Sequence, residues 1–185
     1  MSILPGIYAS QITGHLSTNS FESIATVTVG TAQTSITFSS IPSTYKHLQI
    51  RGIGKSDSSA ATYVSVQFNG DNAANYSIHE LSGDGSTASA YGAANFVGVV
   101  ADPIVGTAYS NVFTGFVMDI LDYQNTNKYK TTRYLGGHDT NSTNSYIFMT
   151  SGSWRNTAAI SSITMVFSDS RKWNTYSQIA LYGVK

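Results

Sequence analysis

Apolar and polar residues alternate with a period of two along most of the chain. In residues 46–53, "KHLQIRGI", Leu48 and Ile50 take one set of alternate positions, and His47, Gln49 and Arg51 take the other. Successive side chains of a strand point to opposite faces of a sheet, so this pattern predicts a half-buried β-strand. About ten such segments recur at the spacing of roughly 8–12 residues that is typical of sandwiches and barrels. The pattern predicts an all-β, antiparallel β-sandwich.

Polar segments rich in glycine and asparagine separate the predicted strands. "NGD" at residues 69–71 and "SGDGS" at residues 82–86 contain residue types that tolerate a positive φ. We therefore expect Asp71 and Asp84 to lie in tight turns between strands. No segment shows the sustained i, i+3, i+4, i+7 apolar spacing of an amphipathic helix.

The first twenty residues differ from the rest, and we divide the chain into an N-terminal arm, 1–20, and a sandwich domain, 21–185. "ILPGIYASQITGHL" mixes apolar residues with a proline and two glycines, and the polar "STNS" follows. These apolar side chains must be buried against something, which predicts an attachment arm. The alternative is an ordinary first strand of the sandwich. The predicted contact residues of the arm are Ile3, Leu4, Pro5, Ile7, Tyr8, Ile12 and Leu16.

Charge is unusually sparse and balanced. The chain has 10 basic and 10 acidic residues, and its charged fraction of 11% is well below the roughly one quarter of ordinary domains. A neutral surface gives no electrostatic attraction toward nucleic acid. Without cysteine, neither disulfides nor thiolate metal sites can form. The start lacks the features of a signal peptide, and the apolar runs are far shorter than the roughly 18 residues of a membrane span.

Asp71, His79 and Asp84 lie close together in the sequence, so they are candidates for a metal site. A calcium loop starting at Asp71 would need glycine at its sixth position, where the chain has Tyr76. Turn formation is therefore favoured over a calcium site. None of the four histidines has a second histidine at zinc-ligand spacing, so we expect no metal and no cofactor. These histidines are His15, His47, His79 and His138.

Catalytic arrangements fit the sequence poorly. His138 precedes Asp139, but adjacent residues of an extended chain point to opposite sides, and no G-x-S-x-G motif supplies a nucleophile. Asp119 and Asp122 are three residues apart on a predicted strand, so they face opposite sides and cannot flank one glycosidic bond. In residues 128–133, alternation places Lys128 together with Lys130 on one face, a possible but small basic patch. We expect no catalytic residues.

Aromatic residues suggest binding instead. Twelve tyrosines and two tryptophans accompany abundant asparagine and serine, a combination that suits carbohydrate recognition. The candidate glycan contacts are Tyr91, Trp154, Arg155 and Trp173. The alternative for each is a structural role in the sandwich or at a subunit interface.

Long motifs resemble a known group of proteins. They are "FESIATVTVGTAQTSITFSSIPSTYKHLQIRGI" (residues 21–53), "VQFNGDNAANYSIHEL", "FVMDILDYQNTNKYKTTRYLGG", "SGSWRNTAAISSITM" and the terminal "YSQIALYGVK". Together with "ILPGIYASQITGHL" near the start, they resemble a widespread group of tailed-bacteriophage virion proteins, often called tail fibre or minor tail proteins. The resemblance implies a phage structural protein with a jelly-roll-like sandwich, assembled as an oligomer on the particle exterior. It implies no catalytic or metal-binding residues.

These observations lead to one functional expectation and two alternatives. We expect a non-enzymatic tail fibre or tail-tip protein, a homotrimer assembled in the bacterial cytoplasm and incorporated in the virion. Its arm would dock on other virion proteins, and its sandwich would face a host-surface glycan. The first alternative is a head decoration protein that stabilises the capsid from outside. The second is a free carbohydrate-binding or hydrolytic module.

Overall fold

Twelve β-strands and no helix make up residues 20–185, the part of the chain that the computed structural model describes. They confirm the all-β prediction but number two more than the sequence pattern indicated. The pattern did not indicate β6, and it indicated β5 only as the segment between the two predicted turns. The strands are β1 (Phe21–Thr28), β2 (Ser35–Phe38), β3 (His47–Gly54), β4 (Thr62–Phe68), β5 (Tyr76–Gly83), β6 (Ala88–Phe96), β7 (Val99–Ile104), β8 (Thr114–Leu121), β9 (Lys130–His138), β10 (Tyr146–Trp154), β11 (Ile163–Phe167) and β12 (Gln178–Val184).

The strand order is that of a jelly roll with two inserted hairpins. The large sheet runs β1-β12-β3-β8-β9-β10-β5-β6, and the small sheet runs β2-β11-β4-β7. Within them, β1 pairs with β12, β2 with β11, β3 with β8 and β4 with β7, all antiparallel. This nested pairing of early with late strands gives two four-stranded sheets, as in a jelly roll. The hairpins β5–β6 and β9–β10 extend the large sheet beyond β8.

The apolar core lies between the two sheets. Leu48 and Ile50 on β3 are fully buried, as are Ile179 and Leu181 on the neighbouring strand β12. The alternate residues of β3, such as Arg51, face away from the core and are at least partly exposed. The alternation in residues 46–53 therefore reports a strand with one buried face, as predicted.

The small sheet ends at β7, which lies against the inserted part of the large sheet. Strand β7 contacts β9, β10 and β5. Gly152 on β10 allows this close approach, because a Cβ atom at that position would lie 2.5 Å from Cγ1 of Val99. A side chain there would have to push the two sheets apart.

An aromatic cluster fills the space beneath the hairpin strands next to β4. The rings of Tyr76 and Trp154 stack with centroids 6.2 Å apart, and Phe68 packs against Trp154 at 5.5 Å. The indole nitrogen of Trp154 donates a hydrogen bond of 2.7 Å to Oδ2 of Asp71. Since the four residues come from β4, its following turn, β5 and β10, the cluster joins the small sheet to the inserted strands.

A buried lysine fixes the loops at the start of β9, directly opposite Trp154 on β10. Lys130 is fully buried, and its ammonium group donates to the backbone carbonyls of Asn125, Lys128 and Thr157. Burial lowers the pKa of Lys130, because removal from water disfavours its charged form. Lys128 and Lys130 therefore do not form the basic patch that alternation allowed, because the charged group of Lys130 is buried.

The hydroxyl group of Tyr76 links two backbone groups in this fold. It accepts a hydrogen bond from the amide of Phe68 at 3.1 Å and donates to the carbonyl of Asp71 at 2.9 Å. Replacement of Tyr76 by Phe would leave a buried amide donor without its partner. We expect Tyr76→Phe to lower the free energy of unfolding by about 1–3 kcal/mol, measured by urea denaturation. Tyr129→Phe, at an exposed tyrosine, is the control and should change it by less than about 0.5 kcal/mol.

Candidate functional site

Both acidic turns of the sequence are turns in the structure. At the end of β4, the amide of Asp71 donates to the carbonyl of Phe68, and Asn69 and Gly70 both have positive φ. Burial alone would raise the pKa of Asp71, but hydrogen bonds from Trp154 and other donors outweigh it and lower that pKa. The turn interpretation of residues 69–71 is confirmed. The Asp71 carboxylate already accepts hydrogen bonds from other groups of the protein.

Asp84 closes the β5–β6 hairpin. Its Oδ1 atom accepts hydrogen bonds from the amides of Thr87 and Ser86 and from the Ser86 hydroxyl, and Gly85 has a φ of 88°. The amide of Thr87, followed by that of Ser86, lowers the pKa of Asp84. His79 lies on β5 with its side chain exposed. Among the side chains that the structure describes, no group of three or more His, Asp or Glu residues could hold a metal ion.

His138 and Asp139 lie on opposite sides of the chain, as the alternation predicts. His138 is buried, with Nδ1 3.2 Å from Oγ1 of Thr114, whereas Asp139 is exposed and accepts the amide of Asn141. The Thr114 hydroxyl also accepts a hydrogen bond from the amide of Val105. Burial lowers the pKa of His138 and favours the neutral ring. The pair serves local structure and has no triad geometry.

The two aspartates near the end of β8 are also separated. Asp119 lies on the strand and accepts the amide nitrogen of Gln49 at 2.7 Å. Asp122 follows the strand with a φ of 48° and pairs with Lys128 and, at 3.8 Å, with Lys46. Asp122 therefore lies just beyond the strand, in a turn that its carbonyl closes by accepting the amide of Asn125.

Both tryptophans predicted as glycan contacts are buried, so those two predictions are wrong. Trp154 is 1% exposed within the aromatic cluster, and Trp173 is fully buried, with its ring 4.8 Å from that of Phe167. Neither can stack on a ligand, because its faces already pack against protein. Arg155 is exposed and donates to Oδ1 of Asn95 at 2.9 Å.

Tyr91 is exposed, as predicted, and it lines a cleft of about 440 Å³. One wall of this cleft comes from the β5–β6 hairpin and the residues that follow it. The other wall comes from β4, β7 and Ser168, which follows β11. The residues that line the cleft are Tyr63, Ser65, Ile78, Glu80, Tyr91, Phe96, Val97, Val100 and Ser168. The volume lies in the range of roughly 300–1,000 Å³ typical of small-ligand sites.

The strand register explains how the cleft is built. Tyr91 lies directly opposite Glu80 in the β5–β6 pairing, so the two side chains share one face of the hairpin. Tyr63 and Ser65 alternate with the buried Val64 on β4, and Ser65 lies opposite Val100 of β7. The cleft therefore lies between the inserted β5–β6 hairpin and the outer face of the small sheet.

Polar and aromatic groups converge in this cleft. Tyr63 and Tyr91 are 46% and 56% exposed, so their rings are available to a ligand. Ser65 is only 5% exposed, and the Ser168 hydroxyl donates to the carbonyl of Tyr63 at 3.4 Å, which leaves its oxygen able to accept. The Glu80 carboxylate can also accept. Burial raises the pKa of Glu80, since the partly enclosed position disfavours its charged form. A single carboxyl group among hydroxyls and rings suits binding of a neutral, hydroxyl-rich ligand.

Sequence reasoning found Tyr91 but missed the other residues of the cleft. Strand β6 was not recognised, because "ASAYGAANF" consists mostly of small residues without β-branched side chains. The exposed Tyr91 within that run was the available signal. The seven predicted arm contacts, Ile3 to Leu16, lie outside the described residues.

The chain matches no family model, no curated protein and no solved structure. Residues 20–185 contain no helix long and apolar enough to cross a membrane.

Replacement of Glu80 should reveal the enclosed character of the cleft. Its folded-state pKa is raised, so the charged carboxylate destabilises the fold above that pKa, and this cost disappears below the unfolded-state pKa. We expect Glu80→Gln to raise the melting temperature at pH 7 by a small amount and to leave it unchanged near pH 4. Glu22→Gln is the control with the opposite sign, because hydrogen bonds from Lys185 and Tyr45 lower the Glu22 pKa. A lower melting temperature for Glu80→Gln at pH 7 would contradict the prediction.

Proposed function

We propose that this protein is a non-enzymatic structural component of a tailed-phage virion, in which the jelly roll presents its cleft to a host-surface glycan. The observation that carries glycan binding is the convergence of Tyr63, Tyr91 and Glu80 in the cleft between the inserted hairpin and the small sheet. The virion assignment rests on the sequence resemblance. The jelly-roll fold agrees with that resemblance, although many unrelated proteins share this architecture.

A sugar ring matches the chemistry of the cleft. It has an apolar face of C–H groups, which stacks on aromatic rings, and an edge of hydroxyls, which exchange hydrogen bonds. Tyr63 and Tyr91 supply rings, and Ser168 and Glu80 supply hydrogen-bonding groups. With equal numbers of acidic and basic residues in the chain, a neutral sugar is favoured over a highly charged one.

The two tyrosines should dominate affinity. Full burial of a large side chain contributes about 1.5–3 kcal/mol, and each 1.4 kcal/mol corresponds to roughly tenfold in affinity. We expect the full-length protein to bind oligosaccharides on an array of bacterial surface glycans, and Tyr91→Ala and Tyr63→Ala each to weaken that binding at least tenfold. Tyr129→Ala is the matched control, because Tyr129 and Tyr91 are equally exposed, at 56%. Equal loss in the control, or no binding to any glycan, would contradict the proposal.

The location on the particle requires a separate measurement. We expect the chain in purified virions at a few sets per particle, as for a tail fibre, with antibody labelling at the tail. Hundreds of copies spread over the head would instead support the decoration protein. A chain absent from particles that still binds glycans would support the free carbohydrate-binding module.

A further inference from the structure

A depression of about 530 Å³ lies on the outer face of the large sheet, where β12, β3 and β8 run side by side. It shares no lining residue with the cleft beside Tyr91. Its volume falls in the range of roughly 300–1,000 Å³ that is typical of small-ligand sites. Among the described residues that line it, Arg51 has the only charged side chain.

Neighbouring side chains hold Arg51 in one orientation. Its Nε atom donates to Oε1 of Gln49 at 2.6 Å, and Gln49 in turn donates to Asp119 at 2.7 Å. The guanidinium carbon lies 4.7 Å from the ring centre of Phe21 and 5.0 Å from that of Tyr182. Cation–π attraction favours this position over a free side chain in water. The guanidinium is therefore preorganised, although the residue is exposed.

The far end of this guanidinium carries donors that the described part of the chain does not use. Within that part, Arg51 belongs to no ion pair, and its Nη nitrogens donate to no acceptor. Residues 1–19 contain no Asp or Glu, so the arm has no carboxylate side chain to place there. Because Nε is committed to Gln49, the two Nη groups remain, and their parallel N–H bonds match the two oxygens of a carboxylate.

The rest of the depression suits a sugar that carries such a carboxylate. Gln178 donates to Thr28 through Nε2, which leaves its amide oxygen able to accept. The Tyr182 hydroxyl has no hydrogen-bond partner among the described residues. Both groups can exchange hydrogen bonds with the hydroxyls of a sugar. Ile53, which is 46% exposed, and Ala180 supply an apolar surface for the C–H face of its ring.

We propose that this depression binds an acidic sugar, such as a uronic acid, whose carboxylate pairs end-on with the Nη groups of Arg51. An acidic side chain of a partner protein carries the same carboxylate. The sugar is favoured because a small volume here combines hydroxyl-binding groups with an apolar surface. This inference does not rest on the neutral glycan proposed for the cleft, because the two sites have separate linings.

Two matched sugars test the proposal on the full-length protein. Methyl β-D-glucuronide carries a carboxylate where methyl β-D-glucoside carries a neutral hydroxymethyl group, so their difference in affinity isolates the charged contact. Titrations are followed by NMR through the Nε–H signal of Arg51, which is assigned by its absence in Arg51→Gln. We expect the glucuronide to bind about tenfold more tightly than the glucoside, as a hydrogen bond to a charged group allows. Added salt should reduce this preference.

Variants locate the effect. Arg51→Gln should abolish the preference for the glucuronide, and Arg51→Lys, which keeps the charge but loses the paired donors, should lose most of it. For these variants, binding is followed by the backbone amide signals of β3 and β12. Arg133→Gln is the matched control, because Arg133 is also exposed and lies on β9 of the same sheet, outside the depression. It should keep the wild-type preference, and all three variants should melt within a few degrees of the wild type.

Other outcomes would overturn the proposal. Equal affinity for the two sugars, or an equal loss in Arg133→Gln and Arg51→Gln, would remove the role of Arg51. A full preference in Arg51→Lys would exclude end-on pairing. Tighter binding of N-acetylglutamate amide than of the glucuronide would point to an acidic protein partner instead. Tyr91→Ala should keep the preference, and its loss there would show that the glucuronide binds in the cleft.

Discussion

The difference in width between the two sheets constrains the rest of this structure. Four strands of the small sheet must cover the inner face of a sheet with eight, and each strand adds about 4.8 Å of width. The jelly-roll half of the large sheet is covered in the ordinary way. Beyond β8, strand β7 of the small sheet lies against part of the inserted strands, and the aromatic cluster around Trp154 covers more of them. What this cluster does not fill becomes the cleft beside Tyr91.

The inserted hairpins therefore carry the surfaces that a bare jelly roll would lack. One side of the β5–β6 hairpin contributes Glu80 and Tyr91 to the cleft, and the opposite side places the exposed Leu81 on the outer face of the large sheet. Alternation along β5 is what separates these two roles, because neighbouring residues of a strand face opposite sides. A change in the register of this hairpin would exchange the two surfaces, so the turn at Asp84 specifies both.

The sequence predicted what depends on local periodicity. Alternation in residues 46–53 identified β3, and turn chemistry identified the roles of Asp71 and Asp84. Features that depend on distant partners were not predictable in this way. Trp154 and Lys130 were misjudged because burial of an indole or an ammonium group depends on acceptors that come from distant turns and loops, such as Asp71 and the carbonyl of Thr157. The cleft was missed because β6 has few side chains that favour a strand, and it forms by pairing with β5.

The position of β12 has a consequence for synthesis of the chain on the ribosome. This strand is the last of the twelve to be made, yet it lies between β1 and β3 in the large sheet. Until it emerges, β1 has no neighbour on that side, and the apolar side chains around Leu48 and Ile50 lack the packing of Ile179 and Leu181. The nascent chain therefore has unpaired strand edges at β1 and β3 until β12 is made. Chains with unpaired edges readily pair with one another. Several copies made side by side on one messenger RNA would meet in this state, so translation rate and chaperone supply should govern the yield of folded protein.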